Sequence, residues 1–429
     1  MLEKALLEMV RHAYRTTPYY RDRLREAGMT VEKLQTMEDF QRLPPVDRAE
    51  IQENPSAFLS ETYLRFPLKE KISLLRTSGS TGRYLKLHWH EDDLTRSLMS
   101  LWLMRRKQYG IHPGDPYCYF YTTSYQSNKL VEEKEEQRSP LGRSLGFSKN
   151  GLNRERLLEI YRGILEFQPR WMMLQPTVAQ LLARCAVENG LPRPERLAYI
   201  ELSGETLFAP VREEIERFFG CHVVNQYGCM EVNCVAFECK DKRLHLLPGN
   251  AYLEVLRDGV PAKDGEAGEL YVTSLHNHAM PFVRYKTGDR GILRREGCTC
   301  GGGRPVLELL SGRVGDFVLL ADGTRLPSYL FLRPVEHINE RIGNIIRQFQ
   351  VVQTGIGQFT VRLSVHPSYL GWKDTIRELF LEHLKQPELA DADWRFEFFD
   401  ALLPDERNGK LAFFYNELSK PEQEEATSL

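Results

Sequence analysis

The sequence predicts an α/β protein of two unequal domains: a large N-terminal one, 1–316, layered with a β-rich part, and a small α+β one, 317–429. Three observations predict it. From residue 76 to 310, strand-like runs alternate with helical ones, the pattern of an α/β domain. Within that stretch, 251–257 and 268–275 read as successive strands and make a β-rich part. From about residue 317 the pattern changes: Phe359, Val361, Leu363 and Val365 alternate as a half-buried strand does, then Ile376, Leu379, Phe380 and Leu384 follow a helical period.

Taken in order, residues 1–75 read as helices and turns. Leu2, Ala5, Leu6, Met9, Val10, Ala13 and Tyr14 fall at i, i+3, i+4 spacing, so the first helix packs on a core. The charged run Val131–Arg143 reads as a solvated surface loop. Tyr199 to Leu202 reads as a strand ending at Ser203-Gly204, and a helix with Val211, Ile215 and Phe218 on one face follows it. Cys221 to Asn225 is the next strand, and Arg395 to Phe399 a late one. The polar tail from Ser419 to Leu429 reads as disordered.

Bulk properties exclude several classes. The 429 residues are 42% hydrophobic and 27% charged, with a net charge of −2. That balance gives no general attraction to nucleic acid or to an anionic membrane. No apolar run approaches the roughly 18–20 residues of a membrane span. The start, Met1-Leu2-Glu3-Lys4, leads into the amphipathic helix and not into an export signal, so a cytoplasmic location is expected. The eight cysteines are then expected as buried thiols or metal ligands, not disulfides.

The most informative stretch is Thr77, Ser78, Gly79, Ser80, Thr81 and Gly82. Small and hydroxylated residues between two strand-like runs can turn their amides and hydroxyls onto an anion, most often a phosphate. No Gly-Lys-Ser/Thr closes it, so it is not a Walker A loop. Further motifs follow: Ser203-Gly204-Glu205, then Gln226-Tyr227-Gly228-Cys229-Met230-Glu231, Arg284-Tyr285-Lys286-Thr287-Gly288-Asp289, Gly312-Arg313-Val314-Gly315-Asp316 and Asn408-Gly409-Lys410. Alone, Lys410 reads as a surface lysine, Glu231 as a helix-start carboxylate and Asp289 as a turn residue. Their order and spacing together carry more.

The set resembles the adenylate-forming superfamily, and within it the compact phenylacetate–CoA ligase family with its capsule-biosynthesis-type relatives. Thr17-Pro18-Tyr19-Tyr20-Arg21 and Leu43-Pro44-Pro45-Val46 extend the resemblance to the N-terminal segment. The resemblance implies that Thr77 to Gly82 form the phosphate loop. Ser203, Gly204, Glu205, Gln226 and Gly228 would line the nucleotide pocket, with Tyr227 stacked on adenine. Glu231 would hold Mg²⁺, Asp289 the ribose hydroxyls, and Arg313 ribose or phosphate. Asp316 would be the hinge to a mobile small domain that carries the catalytic lysine, Lys410. ATP, Mg²⁺ and coenzyme A are the implied cofactors, and a homodimer fits the family. The chain departs from the family pattern at Arg83-Tyr84, after Asp316 and across 119–150, where the acyl pocket is expected.

Cys298-Thr299-Cys300 is a tight Cys-x-Cys turn, and Cys239 precedes His245 across Lys-Asp-Lys-Arg. Three thiolates and an imidazole make a tetrahedral Zn²⁺ set with no open position, hence a structural site. Some members of the resembled family carry a similar pattern. Cys234 is the alternative to Cys239. His88 and His90 share a strand face and read as a surface pair. Tyr117, Tyr119, Phe120, Tyr121 and Tyr125 read as core, part of which could line a pocket for an aromatic or apolar acid. Cys229 lies inside the adenine motif.

The expected function is therefore ATP-dependent activation of a carboxylic acid as acyl-adenylate, followed by transfer to coenzyme A. One alternative acceptor is an amine or a carrier-protein thiol. A further alternative is a non-catalytic nucleotide-binding homologue.

Overall fold

The computed structural model of the protein describes residues 2–419 apart from 27, 29, 77–84, 122–124, 127–128, 131–135, 140–141, 150–151, 248, 296–297, 301–302, 311–316, 344, 385 and 406–409. Among the described residues, thirteen strands form one mixed sheet. Its parallel run is, in spatial order, His222–Cys229, Tyr199–Ser203, Trp171–Leu174, Tyr117–Tyr121 and Ser144–Ser148. Helices Arg154–Phe167, Pro176–Glu188 and Ala209–Phe219 make three of the crossovers. Their apolar faces, with Ile160, Leu182 and Ile215, pack with Met172, Ile200 and Val223 into one buried core. The parallel strands all finish on one edge, where Lys149, Gln175 and Gly204 follow three of their ends. In open α/β sheets the crevice outside that edge is where ligands bind.

Beyond His222–Cys229 the sheet turns antiparallel, through Asn233–Glu238, Leu244–Leu246, Val306–Leu310, Tyr285–Arg294, Ala267–Ser274, Ala251–Arg257 and Val260–Pro261. Here lies the expected β-rich part. The chain reverses in the turn between Cys229 and Asn233, and the pairing register shifts between Tyr227 and Gly228. A methyl group at Gly228 would meet the Asn233 carbonyl oxygen at 2.2 Å, so only glycine fits this bulge.

The N-terminal helices cover the antiparallel part. Leu2–Thr16 buries Leu6, Met9, Val10, Ala13 and Tyr14, the predicted face. Tyr20 donates its hydroxyl to the Pro281 carbonyl and accepts from the Val283 amide. Val46 brackets the Arg284 and Lys286 backbone with two hydrogen bonds. The Arg284 guanidinium, at a positive φ of 50°, reaches the Gln41 and Leu43 carbonyls and pairs with buried Glu254. The segment that opens the Arg-Tyr-Lys-Thr-Gly-Asp motif is thus clamped from the N-terminus.

The C-terminal part has its own four-stranded sheet, in the order Asp393–Phe399, Gln358–Val365, Ile346–Gly355 and Phe414–Asn416, with helices Leu332–Ile342 and Lys373–Leu384. Its core runs from Val318 to Phe414, and Phe208 packs against it from the large sheet's side. No helix among the described residues is long and apolar enough to cross a membrane.

Three local expectations need correction. Glu136–Arg138, inside the run expected to be loop, pairs as an edge strand with Ser144–Ser148, because the backbone of that sheet edge offers free hydrogen-bonding groups. The strand expected over 221–225 runs His222–Cys229, since beyond the end of its pairing with Tyr199–Ser203 at Gln226 it pairs on with Asn233–Glu238. His90 is not at the surface. It is 4% exposed, with Tyr63 edge-on at 5.4 Å. The tail from Ser419 lies largely outside the described residues.

Candidate functional site

Two motifs meet at the edge of the parallel strands. Gln226 is in register with Ser203 on the neighbouring strand, so Ser203-Gly204-Glu205 and Gln226-Tyr227-Gly228 stand side by side. Gly204 has φ 85°, a left-handed turn that bends the chain off the strand end. Both oxygens of Glu205 accept backbone amides: Oε2 from Thr177 at 3.0 Å and Oε1 from Leu411 at 2.9 Å. Burial raises the Glu205 carboxyl above its ordinary range, and the two amides and Lys149 pull against that rise.

Tyr227 donates its hydroxyl to Asp289 Oδ2 at 2.9 Å, joining strands 62 residues apart. Burial and the Asp289 charge push the Tyr227 phenol far up, so it remains a donor. Thr287 Oγ1 accepts the Asp289 amide and fixes that turn. Glu231 is buried, and its Oε1 accepts from the Tyr285 hydroxyl at 2.9 Å, with Arg48 at 3.6 Å. Burial also raises the Cys229 thiol, with the Glu231 charge adding to the rise, so Cys229 is no thiolate nucleophile.

Lys410 arrives from the C-terminal part. Its Cε stands 3.7 Å from where a methyl on Gly204 would lie, and the Gln175 side chain 3.9 Å from the same point. Lys149, only 5% exposed, faces the same group of charges, and burial lowers its ammonium to about 8. Gln175 Oε1 and Gln226 Oε1 are buried without a hydrogen-bond partner among the described residues. Of the predicted site residues, the structure sets Ser203-Gly204-Glu205 beside Gln226-Tyr227-Gly228, Lys410 against Gly204, Tyr227 on Asp289, and Glu231 on Tyr285 of the Asp289 strand. Thr77 to Gly82, Arg313 and Asp316 lie outside the described residues.

Sequence reasoning missed Arg48, Lys149, Gln175, Thr177 and Tyr285 as partners of these groups. Arg48 follows a capping aspartate, Asp47, and carries no motif of its own. Lys149 and Gln175 each follow a strand end, a signal that residue type alone does not show.

The second cluster lies on the antiparallel part. The ligand atoms of Cys239, His245, Cys298 and Cys300 all lie within 4.8 Å of one another. Cys239 Sγ and Cys298 Sγ are 3.7 Å apart, and Cys300 Sγ is 3.2 Å from His245 Nε2. A tetrahedron with metal–sulfur bonds near 2.3 Å has sulfur–sulfur edges of about 3.8 Å. His245 Nδ1 donates to the Arg304 carbonyl at 2.9 Å, which fixes the tautomer with Nε2 free to ligate. Cys234 does not join this set: it lies inside the strand Asn233–Glu238 that ends just before Cys239, and its thiol donates to the Ala236 carbonyl.

No protein-family model matches the sequence. Among curated proteins, phenylacetate-coenzyme A ligase of Thermus thermophilus is 26% identical over 369 residues, covering 82% of this chain and 77% of that protein. The phenylacetate-coenzyme A ligase of Escherichia coli is 25% identical over 75% of this chain and 72% of its own length. Protein CapK of Staphylococcus aureus is 23% identical over 96% of this chain and 87% of its own. Among solved structures, 2-hydroxyisobutyryl-CoA ligase in the postadenylation state matches with TM-score 0.74 at 18% identity, over 97% of this chain and 89% of that one. The same enzyme in the thioesterification state gives 0.61 at 20% identity, over 96% of this chain and 89% of that one. The chain is thus similar in sequence to phenylacetate-coenzyme A ligases and shares its fold with 2-hydroxyisobutyryl-CoA ligase, as the resemblance in the motifs implies.

Proposed function

We propose that the protein is an ATP-dependent, AMP-forming carboxylic acid–coenzyme A ligase. One observation carries the reading: Lys410 lies against Gly204, next to Ser203, which is in register with Gln226, the neighbour of the Tyr227 that bonds Asp289. A carboxylate oxygen of the acid attacks the α-phosphorus of ATP, and the bond to pyrophosphate breaks. The sulfur of coenzyme A then attacks the acyl carbon, and AMP leaves. The first step crowds negative charge at phosphorus, so a lysine ammonium placed there lowers the barrier.

In this reading Tyr227 offers its ring to adenine and Asp289 accepts from the ribose hydroxyls. The orphaned Gln175 and Gln226 oxygens suit a donor such as the exocyclic amine of adenine. Ser203, Gly204 and Gly228 would lie along the nucleotide pocket, as the resemblance implies. Glu231 would hold Mg²⁺ through a hard carboxylate oxygen, the donor type that ion prefers. Bound Mg²⁺ would neutralise phosphate charge. Thr77 to Gly82 and Arg313 keep their expected phosphate and ribose roles, and Asp316 its place as hinge between domains 1–316 and 317–429. The closer match to a postadenylation structure than to a thioesterification one fits a small domain docked with Lys410 on the nucleotide side.

The Cys239, His245, Cys298 and Cys300 set is read as a structural Zn²⁺ site, because it supplies four soft or borderline donors and a fixed tautomer. A cytoplasmic homodimer is the expected form. The acid is expected to be aromatic or apolar, given Tyr119 and Tyr121 on the strand beside the cleft.

The test is acid-dependent ATP–pyrophosphate exchange without coenzyme A, across aryl, arylacetic, fatty and amino acids. Exchange with one class establishes adenylation and names the acid. Thioester formation on adding coenzyme A establishes the acceptor, whereas exchange without it points to an amine or a carrier thiol. Silence throughout, with ATP still bound, refutes the ligase reading.

A further inference from the structure

We propose that Glu205 is the positioning residue that docks the Lys410-bearing segment onto the large domain, and not a nucleotide contact. The inference rests on Lys410 being the mobile lysine of the proposed reaction. Its geometry stands apart from that reaction. Glu205 spends one carboxylate oxygen on each body: Oε2 on the Thr177 amide, Oε1 on the Leu411 amide, 206 residues away. Thr177 follows Pro176 at the start of the Pro176–Glu188 helix. Proline has no amide hydrogen, so the Thr177 amide is the first free donor of that helix end, where a carboxylate is favoured. This half of the contact belongs to the rigid sheet-and-helix body.

The other half holds the residue directly after Lys410. The Lys410 carbonyl accepts the Asp405 amide at 2.9 Å. The Lys410 peptide is thus fixed on both sides, by Asp405 before it and Glu205 after it. The lysine side chain then lies over Gly204, the neighbour of Glu205. Lys149 is buried and interacts electrostatically with both groups, attracted by Glu205 and repelled by Lys410. With both oxygens committed to backbone amides, Glu205 has little left to offer adenine. Rotation of the small domain must break the Leu411 bond and can leave the Thr177 bond intact.

Other contacts between the two parts do not involve Glu205. Gln180 Nε2 lies 3.4 Å from the Arg347 carbonyl, and the Phe208 and Phe349 rings are 5.8 Å apart. These separate a local latch from general domain docking. The experiment is hydrogen exchange on the full chain without ligand, comparing wild type with Glu205→Ala and Glu205→Gln. In Glu205→Ala the Leu411 amide should exchange about tenfold faster or more, the loss expected for a hydrogen bond to a charged group. Strands Ile346–Gly355 and Gln358–Val365 should keep their protection. Glu205→Gln, which keeps size and a single acceptor oxygen, should lose protection at Thr177 or Leu411, and it serves if the alanine variant does not fold. Unchanged Leu411 exchange in Glu205→Ala, or protection kept at both amides in Glu205→Gln, overturns the proposal.

A second readout separates positioning from nucleotide contact. With the acid that supports exchange in wild type, Glu205→Ala should lower pyrophosphate exchange about tenfold while ATP affinity holds. An equal loss of ATP affinity would make Glu205 a nucleotide contact and overturn the proposal. A wild type silent in exchange would refute the ligase reading, yet hydrogen exchange would still decide the latch.

Discussion

The Cys/His cluster and the cleft around Gly204 differ in how they are built. The cluster draws four side chains from neighbouring turns of one antiparallel sheet, and they already stand within 4.8 Å of one another. The cleft draws on strand ends, a helix start and a segment more than 200 residues downstream, and its Leu411 and Lys410 contacts form only when the C-terminal part is docked. The first is preorganised by local hairpins and suits a structural role. The second depends on a long-range contact and suits a step that opens and closes. Changes in the cluster should therefore be read in stability, and changes in the cleft in chemistry.

The largest effect expected is at Lys410. Lys410→Ala should cut pyrophosphate exchange by about two to three orders of magnitude, the usual loss for a transition-state charge partner. Its unfolding midpoint should stay where wild type has it, by calorimetry. A large fall in stability would erase the contrast between the two regions.

The mirror experiment is Cys298→Ser or treatment with a strong chelator. Metal analysis of the purified protein should find one zinc per chain, lost in the variant. Removal should lower the unfolding midpoint by roughly 5–10 °C, the shift that a few kcal/mol produces in a domain of this size. If the midpoint holds while the thiols become reactive, the cluster is not a metal knot.

Within the cleft, Asp289→Asn should raise the apparent KM for ATP about tenfold, as loss of a charged hydrogen-bond acceptor implies. Tyr227→Phe removes only the donor to Asp289 and should raise it a few-fold, with the ring still present. Titration of ATP binding with both variants would sharpen the division of roles. A Tyr227→Phe effect larger than that of Asp289→Asn would reverse it.

The smallest effect is a pH dependence. Burial lowers the Lys149 ammonium to about 8 from its ordinary 10.5. The unfolded chain therefore holds this proton more tightly, and the fold pays most at pH values below 8. As pH rises from 8 to 10.5, that penalty disappears. Lys149→Met should narrow the gap between unfolding midpoints at pH 7.5 and pH 9.5. An unchanged gap would show that Lys149 is not the group responsible.

Much of this was legible before the fold. The predicted face of the first helix is the buried one, because 3.6-residue periodicity needs no partner to be read. Gly204 and Gly228 occupy places where a side chain is excluded, one by a positive φ and the other by the Asn233 carbonyl. The Cys-x-Cys turn was visible from spacing, but whether Cys234 or Cys239 joins it was not. Strand alternation and hairpin register turn Cys234 into the core and Cys239 toward the turn.

Sequence by itself determined the order of strands and helices, the glycine turns and the kinds of groups present, since these follow from local periodicity and sterics. Tertiary structure alone decided which charges meet. Arg48 beside Glu231, Tyr227 on Asp289, Lys149 near Glu205, and Glu205 on Leu411 are pairings between distant segments. No local rule sets them, because each depends on how a sheet edge and two packed bodies close on one another.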